Sequence, residues 1–222
     1  MNRLIVELSS QQGSLALYSD VQCLEDLTWQ EQRFNNQRIF EEIHAALGRH
    51  DMQPADLDRL VAGRGPGNFS GLRISMAALK GLAMPHGVEL CGISSGYALA
   101  WRTLKDEGVD RVTVSGDARR GTVWTGTFAM VNDHLKVETD WHLVPLTAFE
   151  SSLPTEAVHV SPEWTRLGPH LSRTSRWITE DRFPRAVDLD RVYHQRNQFD
   201  ASEPFEPIYM HPPVDPPPAT NS

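Results

Sequence analysis

The chain has 222 residues, of which 40% are hydrophobic and 23% charged, a balance typical of a globular protein with a substantial core. Its formal net charge of −8 argues against a broad nucleic-acid-binding surface, which needs clustered Lys and Arg. The sequence contains no apolar run long enough to predict a membrane-spanning helix, and its N-terminus lacks a signal-peptide cleavage pattern. The two cysteines, Cys23 and Cys91, lie far apart in apolar segments, which predicts reduced, packed thiols in a cytoplasmic protein.

The first two thirds of the chain carry clear secondary-structure patterns. Alternating apolar runs predict strands, and apolar residues three and four positions apart predict helices. The predicted order is strands at 4–8, 14–18 and 22–29, a helix at 36–48, a strand at 57–62, a helix at 72–84, a strand at 88–93, a helix at 94–104, and strands at 111–115, 121–131 and 135–142. Beyond Pro145 the patterns weaken, and the proline-rich tail 212–222 is predicted to be disordered.

The segment Gly63–Gly71 is the strongest local signal, because repeated glycines separate a predicted strand from a predicted helix. Glycine permits positive φ and close backbone approach, and free N–H groups at a helix N-terminus can bind an anion. The segment is not a P-loop, since no Lys follows Gly71. Two interpretations stay open at this stage, a tight structural turn and an anion-binding loop.

A second motif, Gly92–Gly96, matches Gly-x-Ser-x-Gly and lies between a predicted strand and a predicted helix, as a nucleophile elbow does. Ser94 is then a candidate nucleophile, with Asp140 and His159 or His170 following in the order of an α/β-hydrolase triad. No His-Gly-Gly oxyanion motif precedes it, and Ser94 is equally suited to cap the helix that follows.

Other candidate residues carry weaker signals. Glu7, near the end of the first strand, is either a catalytic carboxylate or a hydrogen-bonded structural acid. Arg73 lies in the first turn of its helix, where the dipole disfavours a cation, so an external partner or a loop carboxylate is expected beside it. The nine histidines include no i, i+4 pair, and no Cys-x-x-Cys occurs, so we expect neither a metal nor a cofactor.

Residues 65–74, Gly-Pro-Gly-Asn-Phe-Ser-Gly-Leu-Arg-Ile, resemble the signature Gly-Pro-Gly-Ser-Phe-Thr-Gly-Leu-Arg-Ile of the TsaB (YeaZ) family. Asp117–Gly121, Asp-Ala-Arg-Arg-Gly, also matches a motif of that family, and Pro207–Met210 resembles its C-terminal Pro-x-Tyr-Leu. Weaker similarities at 80–83 and 92–95 fall in the expected order. The resemblance is close over about residues 3–131 and poor beyond.

The resemblance implies an actin-like (ASKHA, ribonuclease H-like) α/β fold of two related lobes, with mixed sheets flanked by helices. The lobes are expected at 1–106 and 107–211, ahead of the tail. Members of the family pair with TsaD, the subunit that transfers threonylcarbamoyl to adenosine 37 of tRNA, and the ATPase TsaE joins them. A non-catalytic subunit is therefore expected, which reaches tRNA only through the complex and can dimerise when alone.

The resemblance also implies which residues meet the partner and which form the signature loop. The partner-binding residues are expected on the two helices of the first lobe: Ile39, Phe40, Ile43, Leu47, Arg73, Met76, Ala77 and Lys80. The expected signature-loop residues are Gly65, Pro66, Gly67, Phe69, Ser70 and Gly71.

The chain departs from the family in four places. Glu7 replaces the usual Asp, Asn68 and Ser70 replace Ser and Thr, and Asn36-Gln37 replaces His-Ser. These changes speak further against independent ATP chemistry. The alternative function is an ASKHA-type ATP-using enzyme or a hydrolase with Ser94 as nucleophile.

Overall fold

The computed structural model describes residues 1–30, 38–172, 176–195 and 204–211. The predicted start of the helix at 36–48 and the tail 212–222 lie outside these ranges. The strands are β1 (Asn2–Glu7), β2 (Gln12–Ser19), β3 (Gln22–Gln30), β4 (Arg59–Gly63), β5 (Glu89–Ile93), β6 (Arg111–Arg119), β7 (Thr122–Val131), β8 (His134–Pro145) and β9 (Val158–Val160). The α-helices are α1 (Arg38–Arg49), α2 (Phe69–Ala83), α3 (Ser95–Glu107), α4 (Leu146–Ser152), α5 (Trp164–Leu167) and α6 (Ala186–His194).

The first sheet has the strand order β3-β2-β1-β4-β5. Strands β1 to β3 form an antiparallel meander, and β4 and β5 add in parallel on the other side of β1. Parallel neighbours require a crossover, and α1 and α2 provide the two crossovers. The strand and helix order predicted for residues 4–104 is confirmed throughout.

The two faces of the first sheet are covered by different helices. On one face Leu4, Val6 and Leu15 pack against α1 and α2. On the other face the alternate residues Ile5 and Ala16 pack into a core that contains α3 and α6. This division follows from the period of two in a strand, which sends successive side chains to opposite faces.

The second sheet, with the order β8-β7-β6-β9, repeats the path of the first. Strands β6 to β8 form an antiparallel meander, and β9 adds in parallel on the free side of β6, as β4 does on β1. The same winding in both sheets is the internal relationship that the resemblance implies. The boundary at residue 106 between two lobes stays a prediction.

One hydrophobic core joins the two sheets. Helices α3 and α6 lie between them, and a single cluster contains Val61 from the first sheet, Leu99 and Leu189 from the two helices, and Phe128 from the second sheet. The chain returns to the first sheet through α6, for which the sequence beyond Pro145 gave no clear periodicity.

The two cysteines, both predicted to be packed, differ in burial. Neither cysteine forms a disulfide, and Cys91 is partly buried, but Cys23 is exposed. The predicted packing of Cys23 was therefore wrong, because it lies on the outer strand β3, where most residues are not buried. Among the described residues no helix is long and apolar enough to cross a membrane.

Candidate functional site

The glycine-rich loop between β4 and α2 is pressed against the end of β1. A Cβ at Gly67 would lie 2.1 Å from the carbonyl oxygen of Ser9, and a Cβ at Gly71 would lie 2.1 Å from that of Leu8. Gly65 has φ +88°, a conformation that L side chains rarely adopt. Glycine at positions 67 and 71 is thus explained by contact between backbones inside the protein, and glycine at position 65 by its positive φ.

The N–H groups of this loop are largely satisfied by the protein itself. Arg64 N donates to Ile93 O at 2.8 Å, and Asn68 N donates to Ser9 O at 2.7 Å. Gly65 N donates to Ser95 Oγ at 2.9 Å. Because these donors are already bonded, the structure supports the tight structural turn over the anion-binding loop.

Glu7 lies beneath this loop and is fully buried. Its Oε1 accepts a hydrogen bond from the backbone N–H of Ser9. Its Oε2 lies so close to Gly63 that a Cβ there would meet it at 1.8 Å. Burial raises the pKa of the Glu7 carboxyl, against the opposing effect of its hydrogen bonds. Of the two interpretations, the geometry supports a structural acid that is buried between Ser9 and Gly63 of β4.

Ser94 stands at the start of α3, but its hydroxyl does not cap the helix. It donates to Gly65 O at 3.0 Å and accepts from Trp141 Nε1 at 3.2 Å. The predicted side-chain cap was therefore wrong, because the loop carbonyl and the indole compete for the hydroxyl.

Two of the triad partners suggested for Ser94, Asp140 and His159, make other contacts. Asp140 accepts a hydrogen bond from Tyr97 OH at 3.1 Å. The ring of His159 packs against Trp177, with ring centroids 5.1 Å apart, and burial lowers the pKa of His159 to about 4. The hydroxyl of Ser94 has no hydrogen bond to a histidine or a carboxylate within the described ranges, so a nucleophile–base pair is not assembled.

The segment Pro204–His211, which we call the strap, crosses from the first sheet to the second. Ile208 N donates to Arg64 O at 2.8 Å, and Arg64 Nε donates to Glu206 O at 2.8 Å. At its far end, Nε2 of His211 lies 2.8 Å from Ala118 O. The half-buried His211 thus holds the far end of the strap against β6.

The strap also closes one side of a cavity of about 400 Å³. The cavity lies between the glycine-rich loop, β8 and the strap, and its walls combine aromatic rings with polar groups. The lining residues are Arg64, Tyr97, Asp140, Trp141, His142, Leu143, Ile208, Tyr209 and Met210.

The second family motif, Asp117–Gly121, forms a charged turn between β6 and β7. Arg119 and Arg120 have positive φ values of 67° and 52°. Asp117 pairs with Arg119 at 2.7 Å and with Arg166 at 3.4 Å. These ion pairs fix the turn to α5 and give the motif a structural role. In the described part of the chain, no group of three metal-ligating side chains occurs.

The structure divides the predicted partner-binding residues into two sets. Ile39, Ile43 and Leu47 of α1 and Met76 of α2 are buried in the core under the first sheet. They cannot contact another chain directly while the helices stay folded onto the sheet. The exposed set is Phe40, Arg73, Ala77 and Lys80.

The exposed residues of α2 form a stripe along one side of the helix. Phe69, Arg73, Ala77, Lys80 and Met84 follow each other at intervals of three or four and are all exposed. The guanidinium of Arg73 lies over the ring of Phe69, with Cζ 5.2 Å from the ring centroid. Helix α2 contains no Asp or Glu.

Several residues of this region were not found from the sequence. Trp141 and the strap residues lie far in sequence from the loop they contact, so local periodicity carries no information about them. The similarity of Pro207–Met210 to a family motif was the available signal, because it marked a segment whose position matters.

The comparisons with known proteins agree with each other. The family model described as TsaD, tRNA N6-adenosine threonylcarbamoyltransferase, matches residues 30–144. The tRNA threonylcarbamoyladenosine biosynthesis protein TsaB of Escherichia coli (strain K12) is 27% identical over 95% of this chain and 94% of its own. The protein of the same name from Bacillus subtilis (strain 168) is 28% identical over 61% of this chain and 58% of its own.

Solved structures show the same fold. YeaZ from Pseudomonas aeruginosa superposes with a TM-score of 0.78 at 20% sequence identity, covering 94% of this chain and 99% of its own. This likeness, together with the repeated winding of the two sheets, confirms the predicted α/β fold with mixed sheets flanked by helices.

Proposed function

The chain belongs to the family described by the TsaD model and, within it, to the TsaB (YeaZ) group, and from that premise we propose that it is a non-catalytic subunit that binds and activates a TsaD-like transferase. The reaction served is N6-threonylcarbamoylation of adenosine 37 of tRNA. The similarity to the Escherichia coli protein over nearly the full length of both chains supports this pathway.

The observation that carries the proposal is the exposed stripe of α2. It combines apolar surface at Phe69, Ala77 and Met84 with cations at Arg73 and Lys80, whereas most exposed helix faces of a small domain are polar. Phe40 of α1, on the same side of the first sheet, is also exposed. A partner helix can therefore lie across α1 and α2 without disturbing the buried residues beneath them.

The environment of Glu7 and of the glycine-rich loop supports a non-catalytic role. The carboxylate is sealed between Ser9 and Gly63, and several loop N–H groups are bonded within the protein. An ATP-using site at this place would need a solvent-accessible carboxylate and free donors for phosphate. We therefore place the chemistry on the TsaD-like subunit.

The other partners belong to the same proposal. A TsaE-like ATPase joins the complex, and tRNA meets this chain only indirectly, in keeping with a net charge of −8. In the absence of the TsaD-like subunit the same apolar face pairs with a second copy of the chain. We expect the complex to work in the cytoplasm.

The test is binding to the cognate TsaD-like subunit, measured by co-purification and by calorimetry. Ala77→Glu introduces a bulky charge at the middle of the exposed stripe and is expected to abolish binding. Ala148→Glu, on the exposed side of α4, is the matched control and is expected to bind as the unaltered chain does. Full binding by Ala77→Glu would refute this interface.

The rival function is tested by turnover of the purified chain alone. We expect no hydrolysis of ATP and none of a p-nitrophenyl ester above a buffer blank. Turnover that is lost in Ser94→Ala, or in Glu7→Gln, would replace the proposal with an enzymatic function.

A further inference from the structure

We infer that Tyr209 on the strap forms, with Phe69 and Arg73 of α2, an aromatic–cationic anchor that receives an acidic, apolar helix of the partner subunit. This inference rests on the proposed function, because it extends the partner-binding surface from the helices of the first lobe to the C-terminal strap.

Phe69 contacts both of the other side chains. The rings of Phe69 and Tyr209 have centroids 5.5 Å apart and are tilted by 47°. The guanidinium of Arg73 lies over the ring of Phe69, with Cζ 5.2 Å from its centroid. The cluster joins residues 136 and 140 positions apart in sequence, so the strap must be in place for the cluster to exist.

The aromatic rings are only half covered by these contacts. Phe69 is 50% exposed and Tyr209 is 55% exposed. Tyr and Arg are the residue types that dominate binding energy at interfaces, because they offer a large contact area together with a hydrogen-bonding group. Tyr209 and Arg73, each in contact with the ring of Phe69, form a patch whose composition suits the centre of an interface.

The strap is bonded to the rest of the protein on both sides of Tyr209. The backbone of Ile208 donates to Arg64 O at 2.8 Å, and the side-chain Nε2 of His211 lies 2.8 Å from Ala118 O. A side chain that is exposed yet held in place loses little conformational freedom when a partner binds, which favours affinity. The strap thus presents Tyr209 in a preorganised position.

The charge of the surface specifies the partner's chemistry. Arg73 and Lys80 lie two turns apart on α2, and neither forms an ion pair within the described residues. Each contacts an aromatic ring instead, Phe69 for Arg73 and Phe205 for Lys80. A helix that brings carboxylates to the two cations and apolar residues to the rings is complementary to this surface.

The experiment measures the affinity of the full chain for the cognate TsaD-like subunit by calorimetry. Tyr209→Ala is expected to weaken binding by at least about tenfold, and Tyr209→Phe to change it less than about threefold. Arg73→Gln is expected to reduce the dependence of the affinity on salt concentration, since it removes one interfacial charge. Val131→Ser, at an exposed apolar residue of the second sheet, is the matched control and leaves the affinity unchanged.

The outcomes separate this inference from the function beneath it. Binding by Tyr209→Ala as tight as by the unaltered chain, while Ala77→Glu binds nothing, would overturn the anchor and leave the proposed function standing. Failure of the unaltered chain to bind the TsaD-like subunit would overturn both. Equal melting temperatures of the Tyr209 variants exclude unfolding as the cause of weaker binding.

Discussion

Arg3 and Asp190 form a buried ion pair that fastens the first strand to the last helix. Arg3 Nε lies 3.1 Å from Asp190 Oδ1, and the two side chains are 3% and 4% exposed. Arg3 also donates to Asp20 O at 2.9 Å, and its guanidinium lies over the ring of Tyr18. The pair therefore joins α6 to β1 and β2 at a place where water does not reach.

Removing one member of this pair is expected to lower the free energy of unfolding more than replacing both members does. Asp190→Ala leaves the guanidinium of Arg3 buried without its counter-ion, and the free energy of unfolding should fall by about 3 to 5 kcal/mol. The double variant Arg3→Met/Asp190→Leu replaces both charges by apolar groups and should recover most of this loss. Urea denaturation of the three proteins measures the difference, and an equal loss in single and double variants would contradict the assignment.

The close approach of Glu7 to Gly63 predicts a second pair of substitutions in which one change offsets the loss of stability caused by the other. A Cβ at position 63 would meet Glu7 Oε2 at 1.8 Å and Ser95 Oγ at 2.6 Å, so Gly63→Ala should destabilise the chain by about 2 kcal/mol or more. Glu7→Ala/Gly63→Ala removes the larger of these overlaps and should be more stable than Gly63→Ala alone. Melting curves of both variants provide the check. Gly81→Ala, where a Cβ meets nothing within 4 Å, serves as the control.

Asp188 is expected to make stability depend on pH. Burial raises the pKa of Asp188 to about 6 from an ordinary value of 3.8, although Arg102 and Arg185 oppose the shift. Because the folded chain holds this proton more tightly than the unfolded chain does, its contribution to the free energy of unfolding falls as the pH rises from about 4 to about 6.

The variant Asp188→Asn removes this titration. At pH 7.5 it should be more stable than the unaltered chain by up to about 2 kcal/mol, because it no longer buries an ionised carboxylate. At pH 4 the gain should nearly vanish. Denaturation at both pH values tests this, and a loss of stability at pH 7.5 would show that the contact of Asp188 with Arg102 outweighs the cost of burial.

Ser94→Ala should affect stability and nothing else. The hydroxyl joins the carbonyl of Gly65 to the indole of Trp141, so its removal leaves two polar groups without this partner and should cost about 1 to 3 kcal/mol. Trp141→Phe removes the same indole contact and should lose part of the same free energy. The double variant should therefore lose less free energy of unfolding than the two single variants lose together. Strict additivity in a double-mutant cycle would argue against the bridge.

The elements of residues 4–145 could be predicted because each carries its own periodicity. Strands β1 and β2 alternate, and α1 repeats at helical spacing, so no distant contact was needed to identify them. Helix α6 was not predicted, because proline-rich sequence precedes it and its burial against β1 depends on contacts nearly the full chain length away, such as that of Arg3 with Asp190.

The predicted partner-binding residues show where periodicity stops being informative. An apolar stripe on a helix indicates that one side is buried. It does not indicate whether the same chain or a partner buries that side. For Ile39, Ile43 and Leu47 the cover is the chain's own first sheet. The exposed side of α1 and α2 could be identified only once the packing was known. The strap residue Tyr209 carried no helical or strand pattern in the sequence.

The shared core between the sheets has a mechanical consequence. A two-lobed protein that hinges must expose the surface between its lobes, but here that surface includes Ala98, Leu99 and Leu189, each at most 1% exposed. Opening it would expose this apolar surface to water, at a cost of about 25 cal/mol per Å². We therefore expect the two sheets to move together, so that a partner bound at α2 also orients β6 to β9.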